Sequence, residues 1–211
     1  MRWTFGEEPL DETEELAAAL RRVSGLALAV EAPDPTVREL IRQLGEVERS
    51  LRAATPSSPL PRVGGNAGGD GRVYLDHSRD IGAFNPMFPE YEIVVDGDSA
   101  SGTVEFPVVY EGPPGIVHGG FLAVFFDSVI QHHNCDVGVA GKTTNLELRY
   151  RRPTPLLTRL TFEITRTATA ERIESTARLS NDGEVCSEAR MRALAGDHST
   201  LPPVSPRRSG R

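Results

Sequence analysis

Residues 109–135 contain the side chains whose types and spacing are best suited to chemistry. Within them, His118-Gly119-Gly120 lies where an apolar helix is predicted to begin. The first amides of a helix have no partner inside it and carry partial positive charge, and glycine leaves them sterically open. Such amides can bind a phosphate or polarise a carbonyl as an oxyanion hole. Alternatively, the two glycines only form a tight turn that lets the helix pack closely.

The second candidate is Asp127, which interrupts the apolar run 121–130 of the same helix. A carboxylate is costly to bury without a partner, so its place among apolar residues needs a reason. A general base in a dry site is one such reason. A position on the solvent-facing side of the helix is the other.

Alternating apolar residues on both sides of this helix predict the strands that position it. Two strands are predicted before the helix, around the turn Asp96-Gly97-Asp98, and four after it, the last two joined by the hairpin Asn181-Asp182-Gly183. No strand–helix–strand repeat is present, so we predict an α+β fold in which an antiparallel sheet wraps around one central helix. The predicted apolar positions are Tyr91/Ile93/Val95, Gly102/Val104/Phe106/Val108, Leu146/Leu148/Tyr150, Leu160/Phe162/Ile164, Ile173/Ala177/Leu179 and Val185/Ala189/Met191.

The ends of the chain differ in composition from this middle part. Residues 1–54 form a predicted N-terminal helical extension, 55–72 a linker rich in Pro, Gly and Ser, 73–195 the sheet-and-helix domain, and 196–211 a flexible tail. The extension contains two apolar stripes at helical spacing, the second following a predicted N-cap at Asp34. The stripes are Leu16/Ala19/Leu20/Val23 and Val37/Leu40/Ile41/Leu44/Val47/Leu51.

Three features of the middle part together resemble a known family. They are His-Gly-Gly followed by Asp127, the lead-in Glu111-Gly-Pro-Pro-Gly, and the segment Thr143-Thr144-Asn-Leu-Glu-Leu-Arg-Tyr-Arg-Arg-Pro153. They are similar to the hotdog-fold acyl-CoA thioesterases of the phenylacetate-pathway (PaaI-like) type. The resemblance covers roughly residues 78–194. It implies a hotdog fold and hydrolysis of an acyl-CoA to a free acid and CoA, and we expect neither a cofactor nor a metal.

The resemblance also implies catalytic roles. The amides of Gly119 and Gly120 polarise the thioester carbonyl, His118 orients their loop, and Asp127 activates water or attacks directly. Seven residues separate Gly120 from Asp127, which is ~10 Å along a helix, whereas both groups must lie about 3 Å from the reacting atoms. Two chains related by a two-fold axis satisfy this condition, so we predict a homodimer, or a dimer of dimers, with the site at the interface.

Further side chains are expected around the substrate. The resemblance places a water-holding hydroxyl at Thr143, with Thr144 as the alternative, and only Glu111 stands where many relatives carry an assisting Asn, Gln or Asp. Arg149 and Arg151 are candidates for the CoA phosphates, although a solvated strand end explains them as well. Aromatic residues would form the acyl pocket, or simply the core; they are Phe121, Phe125 and Phe88, with Met87 as the alternative to Phe88.

His132 and Cys135 are three residues apart, which is a spacing that two metal ligands on a helix can have. No further cluster of ligands accompanies them in the sequence. The preferred prediction is therefore polar packing at the end of the helix, with one histidine lining the acyl pocket as an alternative.

Composition excludes several classes of protein. A net charge of −7 and a pI of about 5.3 argue against nucleic-acid binding. Two cysteines without a CxxC pair do not support a disulfide framework, and no apolar stretch approaches the ~20 residues that span a bilayer. We predict a cytoplasmic protein whose partner is an acyl-CoA, or an acyl-carrier protein, and neither a nucleic acid nor a membrane.

Two other functions suit the same predicted fold. One is a non-catalytic acyl-thioester binder, which as a regulator would need an effector domain. Residues 1–53 carry 7 Arg and 11 Asp or Glu, which argues against a DNA-binding effector but leaves a protein partner, a cap over the acyl site or an extension of the dimer. The other is a hydratase or dehydratase, whose chemistry needs a histidine and a carboxylate poised on a hydroxyacyl chain.

Overall fold

A computed structural model describes residues 11–55, 80–138 and 140–195. Apart from Thr55, the predicted linker lies outside these residues, as does the predicted tail. The described residues form four helices, α1 (Asp11–Leu28), α2 (Pro35–Ala54), α3 (Ile81–Phe84) and α4 (Gly119–Val137). They also form six strands, β1 (Tyr91–Asp96), β2 (Ser99–Glu105), β3 (Ala140–Tyr150), β4 (Arg159–Ala168), β5 (Arg172–Asn181) and β6 (Glu184–Ala195).

The strands form one antiparallel sheet in the order β1-β2-β4-β5-β6-β3, and α4 packs against its inner face. Alternation of apolar and polar residues along the strands gives the sheet the apolar inner face that α4 covers. In β4, for example, Leu160, Phe162 and Ile164 are buried while the residues between them are exposed. Several α4 side chains complete the core with no exposed area, namely Phe125, Phe126, Val129 and Ile130. The predicted α+β architecture and its central apolar helix are confirmed.

The predicted hairpin at Asn181-Asp182-Gly183 is confirmed as well. Asp182 and Gly183 have φ angles of 47° and 81°, which is the left-handed pair that a tight two-residue hairpin requires. The prediction for Val108 is wrong, because β2 ends at Glu105 and Val108 lies in a short 3₁₀ turn, Val108–Tyr110. Pro107 directly precedes that turn, and proline has no N–H with which to continue a ladder.

Helix α1 packs on the domain through a different face from the predicted one. Leu16 and Val23 of the predicted stripe are exposed, whereas Ala17 and Arg21 are buried. The Arg21 guanidinium pairs with Glu90 and donates a hydrogen bond to the carbonyl of Gly82 in α3. Polar contacts of Arg21 therefore hold α1 on the domain, and the spacing of apolar residues does not predict such contacts.

Helix α2 begins as predicted, with the Asp34 carboxylate accepting a hydrogen bond of 2.7 Å from the Thr36 amide and Pro35 in the first turn. Its predicted stripe is not covered: within the described part of the chain no residue of α2 is buried, and Ile41 is 65% exposed. None of the described helices is long and apolar enough to cross a membrane.

Candidate active site

His118 is the N-cap residue of α4. Its Nδ1 accepts a hydrogen bond of 3.0 Å from the Gly120 amide, so in the neutral imidazole the ring proton sits on Nε2. The Gly119 amide donates to no described residue. Of the two amides predicted to polarise a carbonyl, that of Gly119 has no acceptor among the described residues. At Gly120, a carbonyl oxygen must compete with His118 Nδ1 for the amide proton.

Two aromatic residues fix this helix start. The Tyr150 hydroxyl donates a hydrogen bond of 2.9 Å to the Gly119 carbonyl, and a Cβ on Gly119 would lie only 3.1 Å from the tyrosine ring. The ring of Phe121 packs edge-on against His118, with centroids 6.0 Å apart. Tyr150 was not among the predicted site residues. The available signal was its position on the same strand face as Leu146 and Leu148.

The loop before the helix is closed by its own residues. The Glu111 carboxylate accepts a hydrogen bond of 2.7 Å from the Gly115 amide, and Glu111 also forms a backbone bridge with Val117. The His118 amide then donates to the Tyr110 carbonyl at 2.8 Å. Glu111 therefore shapes the loop that delivers His118, and its carboxylate is already engaged there.

The structure brings Asp127 and Thr143 into contact. The Thr143 hydroxyl donates a hydrogen bond of 2.8 Å to Asp127 Oδ1, and both residues are half-buried. Thr144, the predicted alternative, is exposed, and its hydroxyl donates to the Arg192 carbonyl at 3.1 Å. Of the two neighbouring threonines, only Thr143 reaches the carboxylate.

An irregularity in β3 explains this choice. In the pairing of β3 with β6, Ala140, Thr143 and Asn145 lie opposite Ala195, Ala193 and Arg192, so β3 carries an extra residue on each side of Thr143. Such bulges change which face a side chain points to. Counting back in twos from the inward Leu146 and Leu148 would have placed Thr144 inside; the bulge places Thr143 there instead.

One side of α4 is not covered by the sheet of its own chain. Gly120, Val124, Asp127 and Gln131 follow one another at spacings of three and four residues, and we call them the open face of α4. Val124 is 52% exposed in an otherwise apolar helix. Beside this face runs β3, which is the last strand of the sheet and pairs only with β6 among the described strands.

The structure does not bring the predicted CoA-binding arginines to this face. Arg149 pairs with Glu147 at 3.2 Å and Arg151 with Glu188 at 2.7 Å, all on the outer surface of the sheet. The hydrogen bond from Arg151 lowers the pKa of the Glu188 carboxyl.

The predicted aromatic acyl pocket is filled within the chain. Phe88 and Phe125 are both buried, with ring centroids 6.3 Å apart, and they belong to the core. Met87 is 75% exposed, and Phe121 is half-buried beside His118. Only Phe121 of this set lies next to the helix start.

The histidines at the end of α4 have partners inside the chain. His132 Nδ1 lies 2.8 Å from the Tyr91 hydroxyl, and His133 Nε2 lies 2.9 Å from the Gly97 carbonyl, to which it can only donate. Burial lowers the pKa of His133. Among the described residues, no group of three or more His, Cys, Asp or Glu side chains could hold a metal ion. Both histidines pack at the helix end, as the preferred prediction stated.

No family model matches the sequence. The solved structure of RHA08564, a thioesterase superfamily protein, is similar with a TM-score of 0.71 and 27% identity over 92% of this chain and 95% of that one.

Two smaller proteins match only about half of the chain. A hypothetical thioesterase with coenzyme A from Streptococcus pneumoniae has a TM-score of 0.47 and 20% identity over 51% of this chain and 90% of its own. A phenylacetic acid degradation-related putative thioesterase from Ralstonia eutropha has a TM-score of 0.44 and 21% identity over 50% and 84%. The similarity to RHA08564 confirms the predicted hotdog fold and the predicted resemblance to thioesterases.

Proposed function

We propose that this chain, which has the fold of the thioesterase superfamily, hydrolyses an acyl-CoA thioester to a free acid and CoA. The observation that carries the proposal is the pairing of two features on one helix. An open glycine amide lies at the start of α4, and a carboxylate held by a hydroxyl lies on its open face. These are the two groups that acyl transfer to water requires, a donor for the developing oxyanion and a base for the water.

The two groups belong to different subunits in this proposal. Within one chain the Gly119 amide and Asp127 are eight residues apart on the same helix, which is ~12 Å. A two-fold axis beside the open face of α4 sets the helix start of one chain against Asp127 of the partner subunit. The exposed Val124 and the edge of β3, which no described strand pairs with, support an interface here, since an edge strand of eleven residues invites pairing with a second copy.

The chemistry then proceeds in a fixed order. The Gly119 amide holds the thioester oxygen, assisted by the His118 Nε2 proton, and Gly120 contributes when the oxygen displaces His118 Nδ1. The partner's Asp127 removes a proton from water, whose oxygen bonds to the carbonyl carbon. The C–S bond breaks, and the proton passes to the CoA thiolate. Direct attack by the Asp127 carboxylate, followed by hydrolysis of the anhydride, uses the same placement.

Phe121, Arg149 and Arg151 keep the substrate roles predicted for them, whereas the Glu111 carboxylate is held by the Gly115 amide. Phe121 borders the acyl group where it enters beside His118, and Glu111 shapes the loop. Arg149 and Arg151 lie beside the β3 edge, on the outer surface of the sheet. CoA phosphates can therefore reach them only from that surface. CoA is preferred over a carrier protein as the leaving group, by analogy with the Streptococcus pneumoniae thioesterase that binds it. A homodimer and a cytoplasmic location remain predictions.

Release of free thiol from a panel of short-chain, long-chain and aryl acyl-CoAs tests the proposal. We expect Asp127→Asn to lower kcat by about 10²–10⁴-fold, as for removal of a general base, while circular dichroism stays unchanged. Asp96→Asn, at an exposed carboxylate of β1, is the matched control and should retain wild-type activity. Trace turnover that is equal in wild type and Asp127→Asn would favour a binder, and hydration of an enoyl-CoA without thiol release would favour a hydratase.

A further inference from the structure

Behind the Thr143–Asp127 pair lies a chain of polar side chains. Gln131 Nε2 is 3.2 Å from the Thr143 hydroxyl and 3.0 Å from the Gly141 carbonyl. Gln131 Oε1 lies 3.3 Å from Asn134 Nδ2, and Asn134 Oδ1 lies 3.2 Å from the Ser175 hydroxyl. The chain thus runs from β5, through α4, to the carboxylate on the open face.

The Gly141 carbonyl fixes the orientation of both amides. A carbonyl oxygen can only accept, so the Gln131 atom that faces it must be the amide nitrogen. Gln131 Oε1 then faces Asn134, which must present its own nitrogen. Asn134 Oδ1 in turn meets the Ser175 hydroxyl, which can donate. Every group in the chain finds a complementary partner in this one arrangement.

The same arrangement fixes the direction of the bond to Asp127. Gln131 uses one amide proton on Gly141 and the other on the Thr143 oxygen. Thr143 has a single hydroxyl proton, and the oxygen already accepts from Gln131. The proton therefore goes to Asp127 Oδ1 at 2.8 Å in preference to the weak acceptor Met191 Sδ at 3.8 Å.

The end of this hydrogen-bonded row that lies farthest from Asp127, formed by Asn134 and Ser175, is held rigidly. Asn134 has no exposed area and Ser175 is 2% exposed. The backbone carbonyl of Asn134 also accepts a hydrogen bond of 3.2 Å from Arg166. Buried polar networks of this kind hold a single geometry when every member is satisfied. Gln131 is therefore held from behind while its amide acts on Thr143 in front.

We infer that Gln131 is a positioning residue that commits the Thr143 proton to Asp127 Oδ1 and leaves Oδ2 to hold the attacking water. No described residue hydrogen-bonds to Oδ2. The inference rests on the proposed function, because it assigns Gln131 a part in the same hydrolysis. Both amide protons of Gln131 are used within the protein, on Gly141 and Thr143, so its effect on turnover passes through Thr143.

A double-mutant cycle tests this directly in the full-length protein. We expect Gln131→Met, which keeps the side-chain volume but removes the donor, to lower kcat about tenfold with KM within about twofold. Thr143→Val should lower kcat at least as much. Because Gln131 acts through Thr143, the double variant should be no slower than Thr143→Val alone. Gln43→Met, at an exposed glutamine of α2, is the matched control.

The side-chain amide signals of Gln131 in a ¹H–¹⁵N spectrum provide a readout that needs no turnover. Thr143→Val should shift one amide proton and speed its exchange, since only the partner of that proton is lost. Independent, multiplicative losses of kcat in the double variant, or amide signals that Thr143→Val leaves unmoved, would overturn the inference while the proposed function stands. A wild type that releases no thiol would refute the proposed function and, with it, this role of Gln131.

Discussion

Arg21 is the buried polar residue through which helix α1 contacts Gly82 and Glu90. Its buried guanidinium donates to the Gly82 carbonyl and pairs with Glu90, which is 63% exposed. The exposed carboxylate regains water when the pair is lost, so it adds little. Loss of a charged donor to a carbonyl costs about 1.5–3 kcal/mol. We therefore expect Arg21→Met, which keeps most of the apolar stem, to weaken the docking of α1 by about that amount.

Hydrogen exchange read by mass spectrometry measures this docking. Each 1.4 kcal/mol is a factor of about ten, so amide protection in α1 should fall roughly 10- to 100-fold in Arg21→Met, while β4 and β5 keep theirs. Arg22→Met, on the exposed side of the same helix, is the matched control and should leave protection within about twofold. Equal protection of α1 in the two variants would refute the assignment of Arg21 as its anchor.

Two further predictions concern stability. A Cβ on Gly102 would overlap the Glu92 carbonyl oxygen and the Phe162 ring, so Gly102→Ala should cost about 3 kcal/mol or more in urea unfolding, whereas Gly25→Ala, with open space around it, should cost nothing. Burial lowers the pKa of His133 below the ordinary value of 6.5, so the unfolded chain binds a proton more readily than the folded one. Stability should therefore fall as the pH drops below about 6.5, by at most ~1.4 kcal/mol per pH unit from this group. The stability of His133→Gln, whose amide can still donate to Gly97, should fall less steeply with decreasing pH than that of the wild type. The same pH dependence in both proteins would contradict the assignment of this effect to His133.

Much of the domain could be predicted because its signals are local. The alternation in β4 and the left-handed pair at Asp182-Gly183 each act over a few residues, and the structure contains both. These features depend on periodicity and turn chemistry, which the order of residues determines directly.

Other features depend on contacts between distant segments. The inward position of Thr143 requires a bulge in the pairing of β3 with β6, and alternation along β3 alone points to Thr144. The docking face of α1 depends on Arg21 meeting Gly82, 61 residues away. Gln131 was absent from the predicted site because its partners come from β3 and from the helix itself, and no local pattern connects them.

The central claim is that one subunit supplies the glycine amide and the other the carboxylate, and hybrid dimers test it most directly. Gly119→Pro removes the open amide at the first position of the helix, where the backbone suits proline, and the extended backbone of His118 (φ −64°, ψ 130°) suits a following proline. Its Cβ would lie 3.1 Å from the Tyr150 ring, so this 57% exposed side chain must shift by a few tenths of an ångström. Asp127→Asn removes the base. Each homodimer should be nearly inactive. A hybrid of the two, isolated through different affinity tags, contains one intact site of two and should recover about half of the wild-type kcat per dimer. A hybrid no more active than its parents, or a chain that is monomeric in solution, would contradict the claim.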